Sequence, residues 1–326
     1  MPSGIKDLKL ESLSGYYHDP GYKLHWPTVF SLPFWMQAWW DAFGSEDEPL
    51  QLSVWQDKEL TGIAPLVRRE DEARFLGSPE VFDYLDFITV PGREEIFFAA
   101  LLARLKERGI NRLTLNAQRP DAAVFRALFA GKMPAGCSAS YGREGVTYEL
   151  ELASTWDDYL GGLKKKQRHE VRRKLRRLQD EGGDYRFRTL EGPEAVAGFL
   201  PDFFDLFRQN LEKAGFMTEN MEQYFRSLVT AGAREGMARF GLLEIEGTVA
   251  AAVLYFDYRG RVYLYNSGYD SAYADLSAGL LSKALCIGHS IGEGRQVFDF
   301  LKGREVYKSR LGGTAVPVFK VRIEIS

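Results

Sequence analysis

The sequence predicts an α/β protein with mixed sheets, built from two related domains at residues 1–145 and 146–326. Three observations carry this. Short β-type runs alternate with amphipathic helical segments along most of the 326 residues, the mark of a layered α/β architecture. Residues 238–244, 248–258 and 261–267 follow one another as strands joined by tight turns at Glu246-Gly247 and Arg259-Gly260. Finally, Asp57-Lys58-Glu59-Leu60-Thr61-Gly62-Ile63-Ala64 runs parallel to Glu246-Gly247-Thr248-Val249-Ala250-Ala251-Ala252-Val253 at an offset of 189, and Phe75-Leu76-Gly77 falls roughly where 265–268 does.

Taken in order, residues 1–30 form an irregular, aromatic-rich lead-in. Ser31 as cap and Pro33 in the first turn mark a helix that continues through 43. Its Trp35, Trp39 and Trp40 have the spacing of core residues rather than of a stacking platform. Residues 50–55 and 60–68 form a hairpin about 56–59, and 74–76 begins a further strand that Gly77-Ser78-Pro79 breaks. A helix over 94–108 is closed by Gly109, where a left-handed residue is favoured. A strand at 112–115 and a helix at 122–129 follow, and 131–142, rich in Gly, Ala and Ser, reads as a linker.

The second half opens with a strand at 146–152. Ser154 and Thr155 then start a helix in which Leu160, Leu163, Val171, Leu175 and Leu178 recur at helical spacing. A strand at 185–190, helices at 195–214 and 220–231, the three strands named above, a helix at 278–292 and two final strands complete the chain.

Composition sets limits. Hydrophobic content of 45% and aromatic content of 13% suffice for packed cores. No apolar run approaches the ~20 residues needed to span a bilayer, and residues 1–9 show no secretory h-region. Cys137 and Cys286 sit in unlike contexts and read as free thiols, so the expected compartment is the cytoplasm, its membrane surface included. His18, His25, His169 and His289 are scattered, and no metal site is expected. Net charge is −3, yet residues 164–177 hold nine Lys/Arg against one Glu, which leaves the rest of the chain at about −11. A solvated helix face is the simplest reading of such an array. Like charges at helical spacing repel, however, and that density points to an anionic partner.

The stretch that draws most attention is Phe298-Asp299-Phe300-Leu301-Lys302-Gly303-Arg304-Glu305-Val306-Tyr307-Lys308-Ser309-Arg310-Leu311-Gly312-Gly313. One carboxylate, Asp299, lies in an otherwise apolar strand and needs a partner or a raised pKa. After Gly303 the cations stand close enough to converge on one anion. A strand end followed by a solvated charged loop is the other reading of the same residues.

The string D-F-L-K-G-R-E-x-Y-K-x-R-x-G resembles the C-terminal signature of GNAT-like acyltransferases of the CelD type, relatives of the FemABX peptidyltransferases. The likeness extends to Tyr263-Leu264-Tyr265-Asn266-Ser267-Gly268-Tyr269-Asp270, to Leu276-Ser277-Ala278-Gly279-Leu280-Leu281 and to the basic helix around Arg168–Arg177, over roughly residues 150–320. It implies two GNAT-like domains side by side, each a mostly antiparallel twisted sheet flanked by helices, with the second one active.

It further implies N-acyl transfer to an amine acceptor. The donor would be a substrate, acyl-CoA or an acyl-carrier protein, and no cofactor would be permanently bound. Asp299 would act as general base, Lys308 would stabilise the oxyanion or a leaving phosphate, and Tyr307 would donate a proton. Leu276, Ser277, Ala278 and Gly279, with Arg168 and Arg172, would hold the donor. Tyr265, Asn266, Arg208 and Glu305 would line the acceptor side. The GNAT phosphate loop here lacks its basic residue and second glycine. For the basic helix, CoA phosphates, a carrier protein, tRNA and anionic lipid all remain candidates. A FemABX-like aminoacyl-tRNA-dependent transferase and a non-catalytic module in polysaccharide or lipid assembly are the alternative functions.

Overall fold

The computed structural model describes residues 4–44, 47–209 and 214–326, which divide into two compact units, 1–145 with 317–326 and 146–316. In the first unit lie β1 (Gly4–Asp7), α1 (Leu13–His18), α2 (Pro33–Phe43), β2 (Glu48–Gln56), β3 (Glu59–Arg69), β4 (Glu72–Phe75), β5 (Ile88–Thr89), α3 (Glu94–Glu107) and β6 (Arg112–Gln118). β7 (Cys137–Glu151) leads into the second unit. There follow α4 (Trp156–Gly162), α5 (Lys165–Glu181), β8 (Tyr185–Leu190), α6 (Pro193–Arg208), α7 (Glu219–Arg234), β9 (Ala238–Ile245), β10 (Thr248–Tyr258), β11 (Arg261–Tyr269), α8 (Ala278–Gly292), β12 (Val297–Lys302) and α9 (Val306–Arg310). β13 (Thr314–Ile325) closes the chain.

Each unit is a mixed sheet with helices, and the two share one plan. In the first, β2, β3 and β4 pair antiparallel, α3 crosses over, and β6 returns parallel to β4. In the second, β9, β10 and β11 pair antiparallel, α8 crosses over, and β12 returns parallel to β11. The hairpin turns match residue for residue at the offset of 189. Asp57-Lys58 and Glu246-Gly247 both have positive φ at their two central positions, and Glu70 and Arg259 open the next turns in the same left-handed conformation. Two-residue turns of this hand match the twist of the strands they join. Both crossover helices end in a left-handed glycine, Gly109 and Gly294.

Several boundaries differ from those expected. Residues 317–326, expected in the second domain, belong to the first unit, where β13 pairs antiparallel with β6. The helix expected through 178 is two helices, because Gly161-Gly162 weaken its continuation and Leu163 turns extended. The 131–142 segment is linker only as far as Gly136; from Cys137 onward it is strand. The helix expected over 122–129 runs from 123, and its residues Phe125–Phe129 form a wide turn. Ser31 does not cap α2; its hydroxyl bonds to the Thr28 carbonyl one turn earlier. The expected helix over 195–214 ends at Arg208, and its positions 210–213 lie outside the described residues.

Two of the three tryptophans of α2 are core: Trp35 and Trp39 are buried, Trp40 is half-buried, and Trp35 packs its ring on Phe30 and Phe82. In the second unit α8 lays Ala284, Ile287 and Ile291 against Val253, Val262, Leu264, Phe298 and Phe300, with Tyr159, Leu160, Leu163 and Val171 completing the layer. Phe199 and Phe203 of α6 pack on Phe240 of β9. Among the described residues no helix is long and apolar enough to cross a membrane.

Candidate functional site

β12 does not run straight into its turn. Its register against β7 slips between Asp299, opposite Glu149, and Lys302, opposite Thr147. The extra residue is absorbed by Leu301, which sits at φ +62°, a conformation costly for a γ-branched side chain unless its surroundings enforce it. Two side chains enforce it. Asp299 Oδ1 accepts the Leu301 N–H at 2.9 Å, and Lys308 Nζ, from α9, donates to the Leu301 carbonyl at 3.1 Å and to the Lys302 carbonyl. Asp299 is fully buried, and its other oxygen takes an Arg261 N–H at 3.2 Å; Glu149 meets the same guanidinium at 3.0 Å. Burial pulls the Arg261 pKa down, but the facing carboxylates of Asp299 and Glu149 more than offset this and hold it above the usual arginine value. Lys308, 2% exposed, also pairs with Glu305 at 3.1 Å.

The turn that follows sets Glu305 and Tyr307 facing a cleft. Gly303 has φ +119°, and a Cβ there would stand 2.0 Å from the Glu305 carboxylate, so only glycine allows this fold-back. The cleft encloses about 440 Å³ and is lined by the end of β11 (Ser267, Gly268, Tyr269), the start of α8 (Ser277, Gly279, Leu280, Lys283), Lys174 of α5, and Glu305 and Tyr307. Gly268 lets the α6 backbone approach β11, since a Cβ would lie 2.6 Å from the Phe207 nitrogen. The Tyr269 ring covers the first turn of α8, 2.8 Å from where a Gly279 Cβ would be.

Two cations reach this wall. Lys174 Nζ donates to the Ser277 hydroxyl, and Lys283, 7% exposed, donates to the Gly279 carbonyl at 2.6 Å with its ammonium 5.1 Å from the centre of the Tyr307 ring. Burial, reinforced by the charge of Glu305, pushes the Tyr307 phenol above its ordinary pKa. Tyr307 therefore stays protonated and can donate a hydrogen bond to an anion.

The structure thus sorts the expected site residues. Ser277, Gly279, Glu305 and Tyr307 come together in the cleft. Ser277 does not cap α8; it has φ +59° and its hydroxyl meets Lys174. Ala278 is buried and Leu276 packs beside it in the α8 core. Asp299 and Lys308 lie outside the cleft lining, engaged with the β12 backbone. Tyr265 stacks on Phe225 of α7 at 5.5 Å, and Asn266 accepts the Ser267 N–H, so neither lines the cleft. Arg208 is tied to Asp205 and Glu222 on the α6–α7 surface. Arg168 caps the end of α4 through the Gly161 carbonyl at 2.8 Å, and Arg172 is exposed on α5.

Lys174, Lys283, Ser267 and Tyr269 were not foreseen. Lys283 was detectable, as the one Lys, Arg, Asp or Glu in the otherwise apolar α8 sequence; Lys174 was hidden among eight other cations. Two further hollows belong to the first unit. One is a pocket of about 70 Å³ around Asp86, Arg119 and Arg126, and the other is an open groove of about 530 Å³ beside Trp55 and Lys58.

Residues 165–309 match the family model described as an acetyltransferase (GNAT) domain. No curated protein matches the chain in sequence. Among solved structures, the chain is similar to FemX, at 13% identity over 99% of this chain and 97% of that one, with a TM-score of 0.67. It is also similar to a conserved protein of unknown function from Bacteroides thetaiotaomicron, at 12% identity over all of both chains and a TM-score of 0.61. A third is L-PGS from Bacillus licheniformis, at 11% identity over 88% and 90% of the two chains and a TM-score of 0.56. At such identities the likeness is one of fold. The repeated sheet–crossover–strand plan, the match over 165–309 and these neighbours agree: residues 165–309 match a GNAT domain, and the chain has a fold like that of FemX.

Proposed function

We propose that the protein is an N-acyltransferase that moves an acyl group from a thioester donor, acyl-CoA or an acyl-carrier protein, to an amine. The observation that supports this reading best is the 440 Å³ cleft, in which a carboxylate, a protonated phenol and two lysines face one space at the start of α8. In the reaction the amine nitrogen bonds to the donor carbonyl carbon, the carbon–sulfur bond breaks, and the departing thiolate takes up the proton that Glu305 receives from nitrogen. The proton shed by nitrogen passes to Glu305, the carboxylate lining the cleft. Tyr307 donates a hydrogen bond to the oxyanion while it exists. Lys174 and Lys283 hold donor phosphates where GNAT enzymes use a glycine-rich loop. Asp299 and Lys308 act at one remove, by shaping the turn that presents Glu305 and Tyr307. The two cysteines are free thiols, in keeping with a cytoplasmic setting.

A second reading, an aminoacyl-tRNA donor, is favoured by one feature: Lys174 in the cleft is continuous with the exposed Lys/Arg surface of α5, a track suited to a longer polyanion.

The test is a mass-spectrometric screen of acyl-CoA, acyl-carrier protein and aminoacyl-tRNA donors against amine acceptors. One thioester donor is expected to give an amide product. Glu305→Gln is expected to slow that turnover by about 10²-fold or more per folded molecule, with some loss of stability from the broken pair with Lys308. Product from aminoacyl-tRNA alone moves the assignment to the second reading, and no product with any donor removes both.

A further inference from the structure

The first unit carries an exposed aromatic patch that the acyl-transfer reading does not use. Phe125, Phe129, Tyr141 and Phe319 form one cluster: Phe129–Tyr141 at 4.9 Å, Phe125–Tyr141 at 5.3 Å, Phe125–Phe319 at 5.5 Å and Tyr141–Phe319 at 5.6 Å between ring centres. Tyr141 is 55% and Phe129 36% exposed, two of only four large apolar side chains so exposed among the described residues. Scattered apolar residues on a surface need no explanation, but a contiguous patch of rings does.

Two cations stand next to the rings. Lys132 follows Phe129 by three residues and Arg143 shares the face of β7 with Tyr141; both are exposed, and one acid, Glu95, lies beside Gly131. The nearby carboxylate of Glu144 is turned away, onto the Ala117 N–H at 2.6 Å. We propose that this patch docks the protein on the surface of an anionic lipid bilayer. Aromatic side chains with a polar tip favour the headgroup level, and flanking Lys and Arg are drawn to anionic lipid. The same cations argue against a second copy of the chain as the occupant. A two-fold interface presents one patch to itself and would set Lys132 and Arg143 against their own equivalents. With an overall charge of −3, the protein gains attraction to such a surface only from a local basic face.

Flotation with vesicles tests this, using phosphatidylcholine alone and phosphatidylcholine mixed with phosphatidylglycerol. The full-length protein is expected to float with the mixed vesicles and stay behind with the neutral ones. Tyr141→Ser is expected to lower the bound fraction about tenfold, as loss of a buried ring would. Lys132→Gln with Arg143→Gln is expected to raise the proportion of anionic lipid required. Tyr141 is exposed enough for its replacement to leave the melting temperature unchanged, so this variant carries the test even if Phe129→Ser unfolds.

The proposal fails if wild type ignores the anionic vesicles. It fails equally if Tyr141→Ser binds as well as wild type while Lys165→Gln, Arg172→Gln and Arg176→Gln together abolish binding, which would give the membrane to α5. It also fails if the protein is a dimer in solution that Tyr141→Ser dissociates.

Discussion

Asp299 and Lys308 grip the same residue from its two ends: the carboxylate takes the N–H of Leu301 and the ammonium takes its carbonyl. The two residues expected as general base and oxyanion stabiliser clamp a left-handed leucine. Lys308→Met would leave two buried carbonyls without a donor and should destabilise the fold by about 2–3 kcal/mol, within the range for hydrogen bonds to charged groups. Asp299→Asn, which breaks the ion pair with Arg261, should cost roughly 1–3 kcal/mol. Urea unfolding measures both. Per folded molecule, Asp299→Asn should keep its turnover and the acidic limb of its pH–rate profile. Full stability with abolished turnover would return Asp299 to the chemistry.

Lys283 makes the opposite prediction. A buried ammonium is expensive to desolvate, and an apolar isostere in its place is often neutral or stabilising. Lys283→Met should therefore melt at or above the wild-type temperature while raising the donor KM about tenfold, the stability–function exchange expected of a binding group. A lower melting temperature with an unchanged KM would make Lys283 a packing residue.

Asp86 gives the protein a pH dependence of its own. Burial pushes its carboxyl up to about 7, against the N–H groups of Phe87 and Ala123, which favour the charged form, and the charge of Arg126. His25, Arg119, Asp121 and Arg126 face the same pocket. The folded state thus keeps a proton that the unfolded chain, at 3.8, has already released. Between these two values stability falls as pH rises, and above about 7 the loss is complete. Asp86→Asn removes the titration, so its melting temperature should rise relative to wild type on going from about pH 5 to about pH 8. Parallel melting curves for the two proteins across that span would count against a raised Asp86.

The plan of the fold was legible because it is written in local signals. Turns such as Asp57-Lys58 and Glu246-Gly247 announce their hairpins, and the 189-residue offset survives in the turn geometry after the side chains have diverged. The placement of β13 was not legible, since strand pairing between residues 112 and 324 is fixed by tertiary packing rather than by either strand's own sequence. Glu305 and Tyr307, expected in the site, line the cleft together with Lys283, and a lone lysine in an apolar helix is itself a signal. The place of Asp299 has a physical root. A carboxylate in a buried strand needs a partner, and the sequence does not say whether that partner is a substrate or, as here, a backbone N–H two residues on.

The last prediction concerns α5. Its buried side is Val171 and Leu178, and its remaining surface is not uniformly free charge. Arg173 pairs with Glu170, Lys174 with Ser277 and Glu170, and Arg177 with Glu181. Lys165, Arg172 and Arg176 recur along one stripe and stand exposed. Replacing those three with Gln should leave stability within about 0.5 kcal/mol, as for most surface changes. If the donor is a nucleic acid, many phosphates are contacted: affinity should drop steeply between about 50 and 200 mM salt, and the triple variant should flatten that slope. If the donor is acyl-CoA, its few phosphates are met at Lys174 and Lys283, so the stripe variant should change neither KM nor salt slope, whereas Lys174→Gln should raise KM. An unaltered slope and an unaltered KM in both variants would leave α5 a solvated face, and the donor phosphates would have to be held elsewhere.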